Sequence, residues 1–361
     1  MHTCRTHRRT HRRPARLVAA LLVAALLVAA CGGDGDDTEA AEATTTSRPT
    51  TTVAPAPPPT TTPPPVAPLT GEVFTDDALR NRPAIVVKVD NTMKALGKQE
   101  GIDAADLVFA ERVEGGTVRL AAVFHSTNAT VGPVRSARTS DLGITGNLNR
   151  PLFAFSGANG GVLGMVRRAN LVDVGYDVQP RSYLERGRGV LRFFIDTTTL
   201  YGFAPEGSGA PPQQLNYRAP GAPVENAGAE PATRVSIRYP GSVGTVVEYI
   251  DEGAGWARVQ NAVAHTVTSG ARIAPDNVIV QFIGYRSSGF VDVTGAVSPE
   301  AVLAGEGEAW IFTGGQLIRA RWSRPDEGAL TSYTDSAGQP VRFAPGSTWV
   351  ELADPGTATL G

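Results

Sequence analysis

The residues whose types and spacing could do chemistry cluster in the first half of the globular part of the chain. Asp90 and Asn91 close a β-branched apolar run, 84–89. Arg135 and Arg138 lie three apart, after a second apolar run at 118–124. A Gly-rich stretch, 156–161, carries Ser156 and Asn159; it follows a third run at 152–155 and precedes a predicted helix at 162–169. In sheets with parallel strands, ligands collect at the carboxyl edge. Loops sharing such an edge would form a polar floor with two guanidiniums. Arginine's planar fork matches phosphate and carboxylate, and a Gly-rich turn opening a helix offers backbone N–H groups to an anion. The chemistry implied is recognition of an anion, such as a phosphorylated polymer or a peptide carboxylate. The competing reading pairs an arginine with Glu111 or Glu114 and leaves the glycines as a plain turn. The loop lacks the Lys-Ser/Thr ending of a P-loop, so it gives little support to nucleotide binding.

Acid–base chemistry is the second possibility. Asp90, Asp106, Glu111, Glu114 and Asp141 supply carboxyls. Asp90, Glu114 and His125 are the candidates for a general acid or base. A glycosidase pair needs carboxyls about 5–9.5 Å apart, a distance no spacing in sequence provides. Each candidate has a structural alternative: a cap, a salt-bridge partner, or a hydrogen-bonded histidine at a strand end. Asp141 beside Ser140 is a helix-start signal. His265 lies among β residues. No metal-ligand spacing occurs, and Asp34, Asp36 and Asp37 lack the rest of a calcium loop. No metal and no cofactor are expected.

The elements that must position these residues follow from periodicity. Apolar runs at 84–89, 107–110, 118–124 and 152–155 read as strands, with Gly115-Gly116 as a tight turn. Strands mixed with a helix make 72–205 an α/β or α+β domain. Residues 206–232 are rich in Pro, Gly and Ala and read as an interdomain loop. Beyond them, 233–354 is mainly β, with a Gly314-Gly315 hairpin turn and a short tail at 355–361. All four tryptophans lie here, at 256, 310, 322 and 349. Packing explains them better than a sugar-stacking platform does.

The beginning of the chain predicts export. Six arginines precede an apolar run, 17–30, that ends in small residues and Cys31. That order is a secretory signal, with a run too short to span a bilayer comfortably. A cysteine directly after small residues is the mark of a bacterial lipoprotein. Cleavage would leave Cys31 as the lipidated first residue, 32–71 as a Thr/Pro-rich tether, and the membrane as a partner reached through lipid. Twin arginines occur, at 8–9 and 12–13, without the aromatic residue that usually follows such a pair, so general secretion is the expected route. Removing the six arginines of 1–30 from 33 basic residues leaves 27 against 35 acidic ones, a formal charge of −8. That argues against nucleic acid as a partner. The two cysteines, Cys4 and Cys31, leave no disulfide for the globule. The three lysines, Lys88, Lys94 and Lys98, read as GC-rich composition, not chemistry.

Two sets of strings resemble a known family. The first is Val89-Asp90-Asn91, 105–108, 113–116 and Val131-Gly132-Pro133-Val134-Arg135-Ser136-Ala137-Arg138. The second is 277–281, 315–322, 333–335 and 345–350. Together they are similar to the YerB-like lipoproteins of Gram-positive bacteria, over about residues 68–353. The resemblance implies a surface lipoprotein with paired N- and C-terminal domains of unknown function, and it carries over no catalytic residue. The expectation is therefore a lipid-anchored protein outside the cytoplasm that binds an anionic envelope component, a wall polymer or an envelope protein. The alternative is an envelope hydrolase or transferase using arginine clamps.

Overall fold

The computed structural model describes residues 65–74, 76–292 and 294–361. The signal segment, Cys31 and most of the tether lie outside the described residues. Strand formation follows the β-branched runs. One large sheet runs in the order Glu230–Pro231, Gln316–Arg324, Gly305–Thr313, Asn277–Phe282, Thr348–Ala353, Leu107–Arg112, Val118–Phe124, Ile85–Asp90, Leu152–Ala154 and Val172–Asp173. Ser332–Thr334 adds to it beside Gln316–Arg324. Helices are few and short: Ser140–Thr145, Gly160–Val166 and Thr197–Tyr201. The chain is mostly β, and a separate α/β domain does not stand apart within it.

The seam of this sheet joins the two halves of the sequence. Leu107–Arg112 pairs in parallel with Thr348–Ala353, Leu107 opposite Thr348 and Ala110 opposite Glu351. Parallel pairing requires a long connection, and here the rest of the chain is that connection. The 206–232 stretch is not structureless. Asn216–Tyr217 pairs with Arg342–Phe343, and Glu230–Pro231 forms the sheet's outer edge, where proline's missing N–H is tolerated. Ala358–Leu360, within the expected tail, pairs with Arg234–Arg238. Packing also begins before residue 72: Leu69 and Ala67 are buried, and the Tyr217 hydroxyl donates to the Leu69 carbonyl at 2.5 Å. A single leucine among Thr and Pro gave no periodic signal.

Alternation sends side chains to two faces. Ile85, Val87, Val89, Leu120 and Ala122 pack with Val235, Tyr239, Tyr249 and Trp256 of a second sheet, in the order Val263–Ala264, Trp256–Gln260, Val246–Asp251, Arg234–Arg238, Ala358–Leu360. Val86, Ala121, Val123 and Phe153 pack on the other face, with Ile144, Val162 and Val166 of the first two helices and with Leu303. The Gly314-Gly315 hairpin forms as expected, both residues at positive φ, +58° and +72°. Trp256, Trp322 and Trp349 are buried, and Trp310 is half-buried.

Candidate functional site

Strands Ile85–Asp90 and Leu152–Ala154 run parallel, so their carboxyl ends share one edge. The predicted grouping of Asp90, Arg135 and Ser156 therefore exists. Segment 133–135 lies along the end of the first strand: the Arg135 N–H donates to the Lys88 carbonyl at 2.8 Å, and the Asp90 N–H to the Pro133 carbonyl at 2.9 Å. The Ser156 N–H donates to the Arg135 carbonyl at 2.9 Å. Arg135 Nε lies 2.9 Å from Asp90 Oδ2, and Asp90 Oδ1 accepts the Thr92 N–H at 2.7 Å. Asn159 caps the Gly160–Val166 helix, its Oδ1 accepting from the Gly161 N–H at 2.9 Å, and its Nδ2 donates to the Val291 carbonyl at 3.2 Å.

Arg138 is committed within the fold. Its Nε and Nη2 donate to the two oxygens of Glu114 at 2.7 and 2.9 Å, and Nη1 donates to the Ala137 carbonyl at 2.9 Å. The Ser298 hydroxyl donates to the same Glu114 carboxylate. Burial alone would raise the Glu114 carboxyl, but the hydrogen bonds from Arg138 and Ser298 outweigh it and hold it below the usual range. Arg119 is packed alongside; its burial, with the charges of Arg138 and Arg135, lowers its guanidinium to about 10. Glu114 thus has the partner that the alternative reading named. Asn91 turns away from this edge: Nδ2 donates to Gln260 Oε1 at 2.7 Å, and its carbonyl accepts from Gln260 Nε2 at 2.8 Å.

His125 is not brought to Asp90 and Glu114. It follows the far end of Val118–Phe124, six residues beyond Arg119, which at about 3.3 Å per residue is roughly 20 Å away. Its ring is buried edge-on against Phe74, with centroids 5.6 Å apart, and close to the backbone of Arg80 and Arg82. Burial and the charge of Arg82 push the imidazole down to about 4. Its backbone N–H donates to the buried Asp106 carboxylate at 2.5 Å. Beside it, Phe74, Ser126, Thr127 and Arg218 line a cavity of about 690 Å³.

Two buried polar groupings escaped sequence reasoning. Lys88, within a strand buried at every position, contacts Glu111 and Asp141. On the opposite face Glu351 is also fully buried. Its Oε1 accepts the Tyr249 hydroxyl at 2.7 Å and Arg258 Nε at 3.3 Å, and its Oε2 accepts the Tyr239 hydroxyl at 2.5 Å. Arg258 Nη1 is 2.8 Å from His265 Nδ1, and His265 Nε2 is 2.5 Å from Gln99 Oε1. Gln99 Nε2 then donates to the Asp90 carbonyl at 2.6 Å. Burial, then the charge of Arg258, keeps His265 neutral, well below its ordinary value. The only sequence signal was a charged residue inside an apolar run, as at Lys88 and Glu351.

A family model described as the N-terminal domain of a protein of unknown function, DUF3048, matches residues 69–199, and the model of the corresponding C-terminal domain matches residues 235–350. No curated protein matches. Among solved structures, the chain is similar to the YerB protein of Bacillus subtilis, with a TM-score of 0.67 and 23% identity, over 82% of this chain and 99% of that one. That likeness is one of fold.

Proposed function

The chain belongs to the YerB-like family of paired DUF3048 domains, and from that premise we propose that it is a lipid-anchored surface protein with a binding or assembly role. In this reading lipid on Cys31 holds it to the outer face of the cell membrane, and the Thr/Pro tether carries the globule away from the bilayer. The α/β segment 72–205 presents the binding face, and the mainly-β segment 233–354 braces it. The ligand is an anionic envelope component, a wall polymer or an acidic envelope protein.

One observation carries the reading. The hairpin of Tyr183–Glu185 and Phe193–Asp196 overhangs Arg135, whose Nη1 lies 3.5 Å from the Val190 carbonyl. Arg181 and Arg188 in and beside this hairpin are exposed, with no carboxylate within salt-bridge distance among the described residues. In this reading they and the partly open Arg135, which is paired with Asp90, supply the basic groups of the binding face. Hydrolysis is the weaker reading, because Asp90 and Glu114 are each neutralised by an arginine and His125 is remote from both.

Replacing Arg181 and Arg188 by Glu tests the proposal. Retention on purified cell wall should fall while the melting temperature stays within about 2 °C, as surface substitutions are nearly neutral. Unchanged retention would remove this surface from consideration. For the anchor, Cys31→Ala should release the protein into the medium or leave an unprocessed precursor. A cleaved, lipid-free form still held at the membrane would count against lipidation.

A further inference from the structure

Lys88, Glu111 and Asp141 meet in a place that does not suit three charges. All three side chains are 0% exposed. Lys88 and Glu111 come from neighbouring parts of the large sheet, and Asp141 from the first turn of the Ser140–Thr145 helix. Val86, Ala121, Ala137 and Ile144 belong to the apolar cluster on the same face of the sheet, Ala121 directly opposite Lys88. Holding one ammonium and two carboxylates out of water is costly even with Arg138 acting on Glu111 and Arg119 opposite it across the strand pair. Accordingly, burial raises the Glu111 carboxyl; Asp141 adds to the rise, and Lys88 and Arg138 oppose it. Glu111 Oε2 is buried and has no hydrogen-bond partner among the described residues.

The three groups are also placed for a reaction. Lys88 Nζ lies 2.7 Å from Asp141 Oδ1, which puts Cγ on the order of 3.5 Å from Nζ, a near-attack separation. Asp141 Oδ2 accepts the Arg138 backbone N–H at 2.7 Å. That donor faces the oxygen on which negative charge would develop during attack at Cγ. Nζ also contacts Glu111 Oε1. Glu111 lacks a comparable donor on its second oxygen, so Asp141 is the better electrophile and Glu111 the better proton carrier.

We propose that Lys88 and Asp141 are joined by an intramolecular amide bond, formed with Glu111 as proton carrier. The Lys88 ammonium gives one proton to Asp141 Oδ1. The neutral amine attacks Cγ, the C–N bond forms, and the electron pair moves to Oδ2 under the Arg138 N–H. A second N–H proton passes to Glu111 Oε1 as Glu111 returns its own proton to Oδ1. The Cγ–Oδ1 bond breaks and the oxygen leaves as water. Glu111 ends as it began, and no oxidant or cofactor is consumed. The product is a neutral amide, which removes the cost of keeping the ammonium and the carboxylate out of water. It would also staple the Ile85–Asp90 strand to the Ser140–Thr145 helix in a globule with no cysteine after Cys31.

Proteolysis of the denatured full-length protein followed by mass spectrometry tests this. The expected product is a branched peptide joining the Lys88 and Asp141 segments, lighter by one water than the two linear peptides together. Lys88→Met and Glu111→Gln should each yield only linear peptides. Natively folded wild-type protein giving only linear Lys88 and Asp141 peptides would overturn the proposal, and this readout requires no variant to fold. A branch at Glu111 instead of Asp141 would overturn the assignment of electrophile. A branch persisting in Glu111→Gln would overturn the role of Glu111.

Discussion

The two faces of the large sheet bury charge in different ways. On one face Lys88, Glu111, Asp141, Glu114 and Arg138 come from a single stretch of sequence, with Ser298 the one distant contributor. On the other, Glu351, Arg258, Tyr239, Tyr249, His265, Gln99, Gln260 and Asn91 come from both halves. The first cluster fixes the 133–141 segment against the strands beside it. The second ties the Trp256–Gln260 strand to the parallel seam and, through Gln99 and Asn91, to the end of Ile85–Asp90. The local cluster thus organises the candidate binding edge, and the long-range network joins the two family segments.

The contrast is sharpest in the response to losing an arginine. Arg258→Ala would leave Glu351 fully buried without its cation; breaking a buried pair in this way costs about 3–5 kcal/mol. Chemical denaturation should show that loss, the largest expected. Arg138→Ala removes a bidentate partner from Glu114, whose side chain keeps 9% exposure and the Ser298 hydroxyl. Its cost should be smaller, about 2–3 kcal/mol. A loss for Arg138→Ala equal to or above that for Arg258→Ala would erase the distinction between a local clamp and a joining network. For the same reason Arg138→Ala is a poor probe of ligand binding, whereas Arg188 reports on it without disturbing the core.

Acid should act on both faces through the histidines. An unfolded histidine takes up its proton near pH 6.5, whereas folded His125 does so only at about 4. Between those values the unfolded chain binds more protons, so this contribution to stability is fully present above about pH 6.5 and is lost as pH falls towards 4. His265, also depressed, adds to the same slope. Urea unfolding at about pH 7.5 and about pH 5 should therefore show a smaller pH difference for His125→Phe than for the wild type. An identical difference would mean that His125 takes up its proton at an ordinary pH and is more open than its contacts with Phe74 indicate.

Much of this fold was legible in the sequence because β-branched runs and paired glycines carry local signals. The strand at 84–89 and the Gly314-Gly315 turn are of that kind. The gathering of Asp90, Arg135 and Ser156 at one edge was conditional on strand direction, which the parallel pairing of Ile85–Asp90 with Leu152–Ala154 supplies. The join between Leu107–Arg112 and Thr348–Ala353 was not legible, since no local pattern selects a parallel partner more than two hundred residues away. Without it the two halves read as separate domains. Lys88 was passed over as composition, because a lysine in an apolar run acquires meaning only when Glu111 and Asp141 are placed opposite it. Arg258 and Glu351 were missed for the same reason, each partner being supplied by another strand.

The smallest effect belongs to the rim of the binding edge. Asn159 satisfies a free N–H at the start of the Gly160–Val166 helix. Asn159→Ala should cost about 1 kcal/mol, and Asn159→Asp or Asn159→Ser should restore most of it, because both accept the same hydrogen bond. A cap and a ligand group separate cleanly here. If Asn159 is only a cap, Asn159→Asp keeps the cap and wall retention and loses just the Nδ2 bond to the Val291 carbonyl. If its amide donates to an anionic ligand, Asn159→Asp keeps stability and loses retention, since a carboxylate supplies no donor and repels the anion. The second outcome would extend the basic surface of Arg135 and Arg188 onto loop 156–161. The first would confine that surface to the hairpin and leave the glycines as a turn.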